Sequence, residues 1–250
     1  MITKEQIEIL SKYYRIDEFT IMREYLQLVF LSYLYQEKAS EKIYFKGGTA
    51  LRLLFDSSRF SEDLDFSSSY NKKQIITMVK KLEKSIRNEI PELKILILHS
   101  GKQSIRFRIK YYSPDFKYPF VIRLDFQEAD IEKPPKISPL VTKFPIVIFP
   151  LVGHLSEEEI LAEKICALVT RGKGRDVFDT WFLLKKDTPI DWQLTARKLK
   201  ERGEDNIDKQ LVLYKIKNYP QNKLHDLDQF LPRSERKIIP ILKEELVKLF

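Results

Sequence analysis

Three carboxylates in this 250-residue chain have a spacing that could do chemistry together. Asp63 and Asp65 flank Leu64. In an extended strand, residues two apart point to the same side, with Cα atoms ~6.5 Å apart. Asp63 and Asp65 therefore share a face, and Leu64 and Phe66 turn to the core. Two hard carboxylates converging on one point can hold Mg²⁺ and, with it, the phosphates of a nucleotide. The third carboxylate is Asp125, in Phe120-Val121-Ile122-Arg123-Leu124-Asp125-Phe126. Phe120, Ile122, Leu124 and Phe126 alternate toward the core, and Arg123 and Asp125 share the other face. Asp125 is thus a candidate third metal ligand and base. Taken singly, a solvated strand end and ordinary surface alternation would explain the same residues.

These side chains need a scaffold, and the residues around them predict one. Residues 43–45 read as a short strand running into Lys46-Gly47-Gly48-Thr49 and a helical stretch, 50–55. Glycines at such a turn let backbone approach a phosphate, and the helix N-terminus offers free N–H groups. A Walker P-loop is absent. Residues 64–66 form the next strand and 75–90 an amphipathic helix stopped by Pro91. Strands follow at 93–98, 104–111 and 120–126. The order β-α-β-α-β-β-β predicts an α/β domain with a mixed sheet, preceded by helices over 4–38. Five prolines in 131–150 mark an extended connector with one short strand at 146–149. The domain boundary is placed at its end, giving 1–153 and 154–250. The second part reads as helical. Ser156 and Glu159 form a capping box opening a helix to about 170, with further helices at 177–185, 191–202, 205–217 and 235–250.

Composition excludes several classes. Lys and Arg number 44 against 36 Asp and Glu, a net charge of +8. Such an excess suits a polyanionic partner, although it also serves solubility. A single cysteine, Cys166, permits neither an intrachain disulfide nor a cysteine zinc site. His99, His154 and His225 lack ligand spacing. No apolar run approaches the ~20 residues of a membrane span, and the N-terminus carries no signal-peptide pattern. The expected location is cytoplasmic.

The second part carries its own charged pattern. On the helix over 157–170, Lys164 and the following Arg171 lie seven residues apart on one stripe. Leu161, Ile165, Leu168 and Val169 form the neighbouring apolar stripe. A lysine and an arginine aligned beside a cleft can grip a triphosphate. Asp176 and Asp179 open the next helix at i,i+3, where they suit its dipole. Arg175 and Asp176 could equally be a cap and an ion pair.

Lys46-Gly47-Gly48-Thr49-Ala50-Leu51, followed by Arg59-Phe60-Ser61-Glu62-Asp63-Leu64-Asp65-Phe66, resembles the AbiEii/AbiGii-type nucleotidyltransferase toxins of the polymerase-beta-like superfamily. Ala162-Glu163-Lys164 with Arg171, then Arg175-Asp176-Val177-Phe178-Asp179, is similar to that family's second block. The resemblance implies a nucleotidyltransferase fold with flanking helices and a helical C-terminal domain. It implies transfer of a nucleoside monophosphate from an NTP to an acceptor, with an RNA such as a tRNA 3′ end as the plausible acceptor and an antitoxin protein as partner. Asp63, Asp65 and Asp125 would hold Mg²⁺. Lys46, Gly47, Gly48, Thr49, Arg59, Ser61, Arg171 and Arg175 would contact the nucleotide. Lys164 would neutralise phosphate charge, and Asp176 or Asp179 would orient the lysine or contact the nucleotide. A protein hydroxyl as acceptor, or a non-enzymatic RNA- or partner-binding module, are the alternatives. A basic ribbon, Arg106, Arg108 and Lys110, alternates with Ile105, Phe107 and Ile109. It would suit an RNA backbone or the nucleotide's phosphates, or it protects an exposed sheet edge.

Overall fold

A computed structural model of the chain describes residues 1–128, 131–201, 203 and 207–250. Its contacts divide into two units, Met1–Ile131 with Pro135–Leu155, and Glu132–Pro134 with Ser156–Phe250.

The first unit opens with α1 (Lys4–Tyr14) and α2 (Glu18–Leu34). Arg15, in the left-handed region at φ 55°, ends α1. Asp17 caps α2 by accepting from the Thr20 N–H at 2.8 Å. Then follow β1 (Ile43–Lys46), α3 (Gly47–Leu54), β2 (Leu64–Ser68), α4 (Lys72–Ile86), β3 (Lys94–Ser100), β4 (Ser104–Tyr111), β5 (Phe120–Glu128), β6 (Lys136–Pro139) and β7 (Leu151–His154). One seven-stranded sheet has the order β3-β4-β5-β2-β1-β7-β6. It is mixed: β2 pairs parallel with β5 and β1 with β7, and the remaining neighbours are antiparallel.

Alternation fixes which face of the sheet is buried. Phe45, Phe66, Phe107 and Phe126 are all buried on one side. Their rings form a continuous series, with centroids 5.4 Å apart for Phe45–Phe66, 4.7 Å for Phe66–Phe126 and 5.9 Å for Phe107–Phe126. Phe30 of α2 closes on Phe66 at 6.4 Å. A slip of one residue would put these rings in water and the intervening charges in the core, so the aromatic series enforces the register. The apolar stripe of α4, with Ile75, Met78, Val79, Leu82 and Ile86 buried, has the 3–4 spacing of a packed helix face.

The second unit is helical: α5 (Glu157–Thr170), α6 (Gly174–Lys185), α7 (Trp192–Lys200), α8 (Lys209–Lys217), 3-10 turns at Gln221–Gln229 and Arg236–Ile241, and α9 (Leu242–Lys248). Ser156 caps α5 by accepting from the Glu159 N–H. The reciprocal half of the expected capping box is replaced. The Glu159 carboxylate accepts instead from the Glu132 and Lys133 N–H groups and pairs with Lys198 at 2.8 Å.

Three further expectations change. The connector has no strand at 146–149; β6 and β7 flank that stretch. Pro145 and Pro150 bound it, and Val147 is 88% exposed. Secondly, β4 lies between β3 and β5, so the basic ribbon is no sheet edge. Thirdly, the helix expected over 235–250 begins as a 3-10 turn that contains Pro240, and only Leu242–Lys248 is α-helical. The helices expected over 191–202 and 205–217 each run partly outside the described residues.

Candidate active site

The register of the sheet sets four charged residues in one row. Lys46 on β1 faces Asp65 on β2, Asp65 faces Asp125 on β5, and Asp125 faces Arg106 on β4. All four lie on the face opposite the phenylalanines. Adjacent strands lie ~4.8 Å apart, so Asp65 and Asp125 are carboxylates on neighbouring rungs. The order β5-β2-β1 brings together segments sixty residues apart in sequence.

Each carboxylate has a distinct environment. Asp125 accepts from Arg106 Nε at 2.7 Å through Oδ2, and its Oδ1 is buried with no hydrogen-bond partner. Asp63, just before β2, is gripped by both arms of Arg123, Nε at 3.0 Å and Nη2 at 2.6 Å. That pairing raises the Arg123 pKa above its ordinary value, hydrogen bonding to Asp63 being the largest cause. Asp63, Asp65 and Asp125 are therefore not gathered as a set of three. Among the described residues no such group is found. Asp65 and Asp125 stand side by side, and Asp63 is drawn to Arg123. The orphaned Asp125 Oδ1 beside a second carboxylate is nevertheless the donor chemistry that a hard divalent cation needs.

The glycine turn serves this row. Gly47 sits at φ +79°, and a Cβ there would collide with Asp65 Oδ2. Only glycine lets the chain turn from β1 into α3 so close to that carboxylate. A Cβ on Gly48 would strike the Arg59 guanidinium and lie 3.1 Å from Ser61 Oγ. Thr49, expected to offer its hydroxyl to phosphate, is fully buried and donates it to the Asp63 carbonyl. It thereby ties α3 to the start of β2. Arg59 is buried under the turn, and its Nη1 donates to the Phe60 carbonyl at 2.9 Å. The buried Lys46 donates to Gln127 Oε1 at 2.9 Å. Gln127 was not singled out from the sequence, yet it lies two residues beyond Asp125 on the same strand face.

In the second unit the motif charges pair within the helices. Lys164 Nζ meets Asp179 Oδ2 at 2.7 Å. Arg171 reaches Asp176 through Nε at 2.9 Å and Nη2 at 2.8 Å. Asp176 also accepts from the Lys173 N–H at 3.2 Å. Both aspartates are fully buried, and Lys164 is 8% exposed. The expected stripe bordering a cleft is corrected: α5 is buried on nearly every side, and Lys164 and Arg171 bind α5 to α6. Arg175 is half-buried. Asp176 does cap α6, but its ion pair is with Arg171 and not with Arg175.

On the sheet, Arg106, Arg108 and Lys110 do share one face, but not one role. Arg106 is committed to Asp125. Arg108 stands opposite Arg123 in register, and its Nε is buried with no partner. Lys110 donates to the Tyr112 hydroxyl at 3.3 Å.

A family model for the AbiEii nucleotidyltransferase toxin of type IV toxin–antitoxin systems matches residues 29–244. An uncharacterised protein of Aquifex aeolicus (strain VF5), aq_aa25, is 28% identical over 192 residues, covering 71% of this chain and 78% of that protein. Among solved structures, the nucleotidyltransferase toxin MenT4 (Rv2826c) from Mycobacterium tuberculosis H37Rv superposes with a TM-score of 0.73 at 17% identity, covering 100% of this chain and 89% of that one. JHP933 from Helicobacter pylori gives 0.56 at 21% identity, covering 94% and 91%. The two structural likenesses speak to the fold. The family match spans both the carboxylate row and the α5–α6 block: the chain belongs to the AbiEii nucleotidyltransferase toxin family of type IV toxin–antitoxin systems and is a nucleotidyltransferase.

Proposed function

We propose that the carboxylate row is the transfer site, that the reaction needs Mg²⁺ and that the acceptor is the 3′ end of an RNA such as tRNA. The observation that carries this reading is the in-register pair Asp65 and Asp125, one of whose buried oxygens is unpartnered. Asp65 and Asp125 would hold the cation, with Asp63 joining them on release from Arg123. The bound cation would neutralise phosphate charge and polarise the reacting oxygens. The acceptor hydroxyl oxygen forms a bond to the α-phosphorus, the bond from that phosphorus to the bridging oxygen breaks, and pyrophosphate leaves. Asp125 draws off the hydroxyl proton. The Gly47-Gly48 turn brings the start of α3 close against Asp65, and Arg108 and Lys110 offer charge to a nucleic-acid backbone. A cognate antitoxin would restrain the activity in a cytoplasmic setting. Among the described residues no helix is long and apolar enough to cross a membrane.

The test is incubation of the protein with each α-labelled NTP, Mg²⁺ and total RNA or total protein. The expected result is label on RNA that is lost when the RNA 3′ ends are oxidised with periodate beforehand. Label on protein would move the acceptor to a side-chain hydroxyl and leave the metal site standing.

A further inference from the structure

We propose that Arg106 and Arg123 are exchangeable counter-ions of the carboxylate row. They hold Asp125 and Asp63 while no divalent cation is bound, release them when it enters, and then close on the triphosphate. The inference rests on the metal-dependent reading above.

The arginines are the exposed members of these pairs. The Arg106 and Arg123 side chains are 48% and 54% exposed, against 16% and 21% for their aspartates. The carboxylates are short and sit on or beside strands; the guanidinium stems are long and reach into solvent. A pair with one partner in solvent is held less firmly than a fully buried one, so a hard divalent cation can displace the arginine. The site is already half vacated, because only one Asp125 oxygen is taken and the other is buried without a partner. Displacement has a destination. Arg108 faces Arg123 across β4 and β5, and its Nε is also buried and unpartnered. Like charges opposite one another in a sheet repel, and that repulsion grows once Arg123 leaves Asp63. Three guanidiniums beside the carboxylates then make a polycation that a triphosphate would satisfy, each fork matching a phosphate. By linkage, cation binding and phosphate binding favour each other through the same arginines.

The experiment measures Mn²⁺ binding without nucleotide, from the electron paramagnetic resonance signal of free Mn²⁺, in the wild type, Arg106→Gln, Arg123→Gln and Lys80→Gln. Lys80 is an exposed cation on α4 and serves as control. Pyrophosphate binding in saturating Mn²⁺ is then measured by calorimetry. Both arginine variants are expected to bind Mn²⁺ about tenfold more tightly, and pyrophosphate about tenfold more weakly, than the wild type. Lys80→Gln should move neither. Arg106→Lys and Arg123→Lys, which keep charge but lose the fork, should shift both constants in the same directions by less, and they replace a glutamine variant that melts early. Unchanged or weaker Mn²⁺ binding in the arginine variants, or unchanged pyrophosphate binding, would overturn the exchange. The parent reading fails by a different sign: Asp125→Asn that still binds Mn²⁺ as tightly as the wild type puts the metal elsewhere, and the exchange falls with it.

Discussion

On the sheet, Asp63 and Asp125 pair with arginines whose side chains are about half exposed, at 54% and 48%. On α6, Asp176 and Asp179 are fully buried, and Lys164, the partner of Asp179, is 10% exposed along its side chain. The residue types are the same, and the surroundings decide what they can do. A buried carboxylate stripped of its partner is left as an uncompensated charge in a poorly polarisable interior. A partly exposed one, as Asp63 and Asp125 are at 21% and 16%, is resolvated by water or taken by a cation. The first arrangement stabilises a fold and the second can be remade during a reaction. The contrast ranks the consequences of substitution.

The largest change in stability is expected from Lys164→Ala. It removes the ion pair of the fully buried Asp179, and denaturant unfolding should show a loss of about 3–5 kcal/mol. This departs from the cleft-facing role read from sequence, under which the fold would be untouched. A Tm within a degree or two of the wild type would break the comparison. Asp63→Asn sits at the other pole. Its partner Arg123 is exposed, so unfolding free energy should move by no more than about 1 kcal/mol in either direction. A loss as large as that of Lys164→Ala would show that the sheet pairs are structural as well.

The smallest effect sharpens the account of the α5–α6 block. The Tyr219 hydroxyl is buried with no hydrogen-bond partner. Burial pushes its pKa up to about 12, and the Asp226 and Asp176 carboxylates push the same way. Folding therefore raises this pKa above the ordinary 10.0, so its share of stability is full below pH 10 and is lost as pH climbs toward about 12. Tyr219→Phe should leave stability near pH 7 within about 0.5 kcal/mol. It should also flatten the decline between those two pH values. An unaltered alkaline decline would show that Tyr219 titrates as it does in the unfolded chain.

Much of the first unit is legible in the sequence. Alternation placed Leu64, Phe66, Leu124 and Phe126 inward and Asp65, Arg123 and Asp125 outward, because a strand with one wet face leaves a period of two. The glycine turn was legible as a turn, but the reason for its glycine was not: at Gly47 a side chain would collide with Asp65, which a different strand supplies. Pairings between distant segments were not legible. Nothing in Arg106 or Arg123 announces which carboxylate it meets, since that depends on strand order and on the rotamer of a long side chain. The roles of Thr49 and Arg59 were misplaced because a hydroxyl or guanidinium that braces a loop has the same sequence signature as one that binds phosphate. The short strands β6 and β7 hid among prolines, and their pairing depends on the parallel contact of β7 with β1 rather than on any periodicity of their own.

The central claim is that Asp65 and Asp125, side by side in register, carry out metal-dependent nucleotidyl transfer. The direct measurement is the rate of label transfer from α-labelled NTP to RNA, in Mg²⁺ and again in excess EDTA, for the wild type, Asp65→Asn and Asp125→Asn, with melting temperatures recorded in parallel. The account predicts that each variant keeps the wild-type Tm within a few degrees while its transfer rate falls by about 10³-fold or more, and that EDTA abolishes wild-type transfer. Transfer within tenfold of the wild type in either variant, or wild-type transfer that survives EDTA, would contradict it.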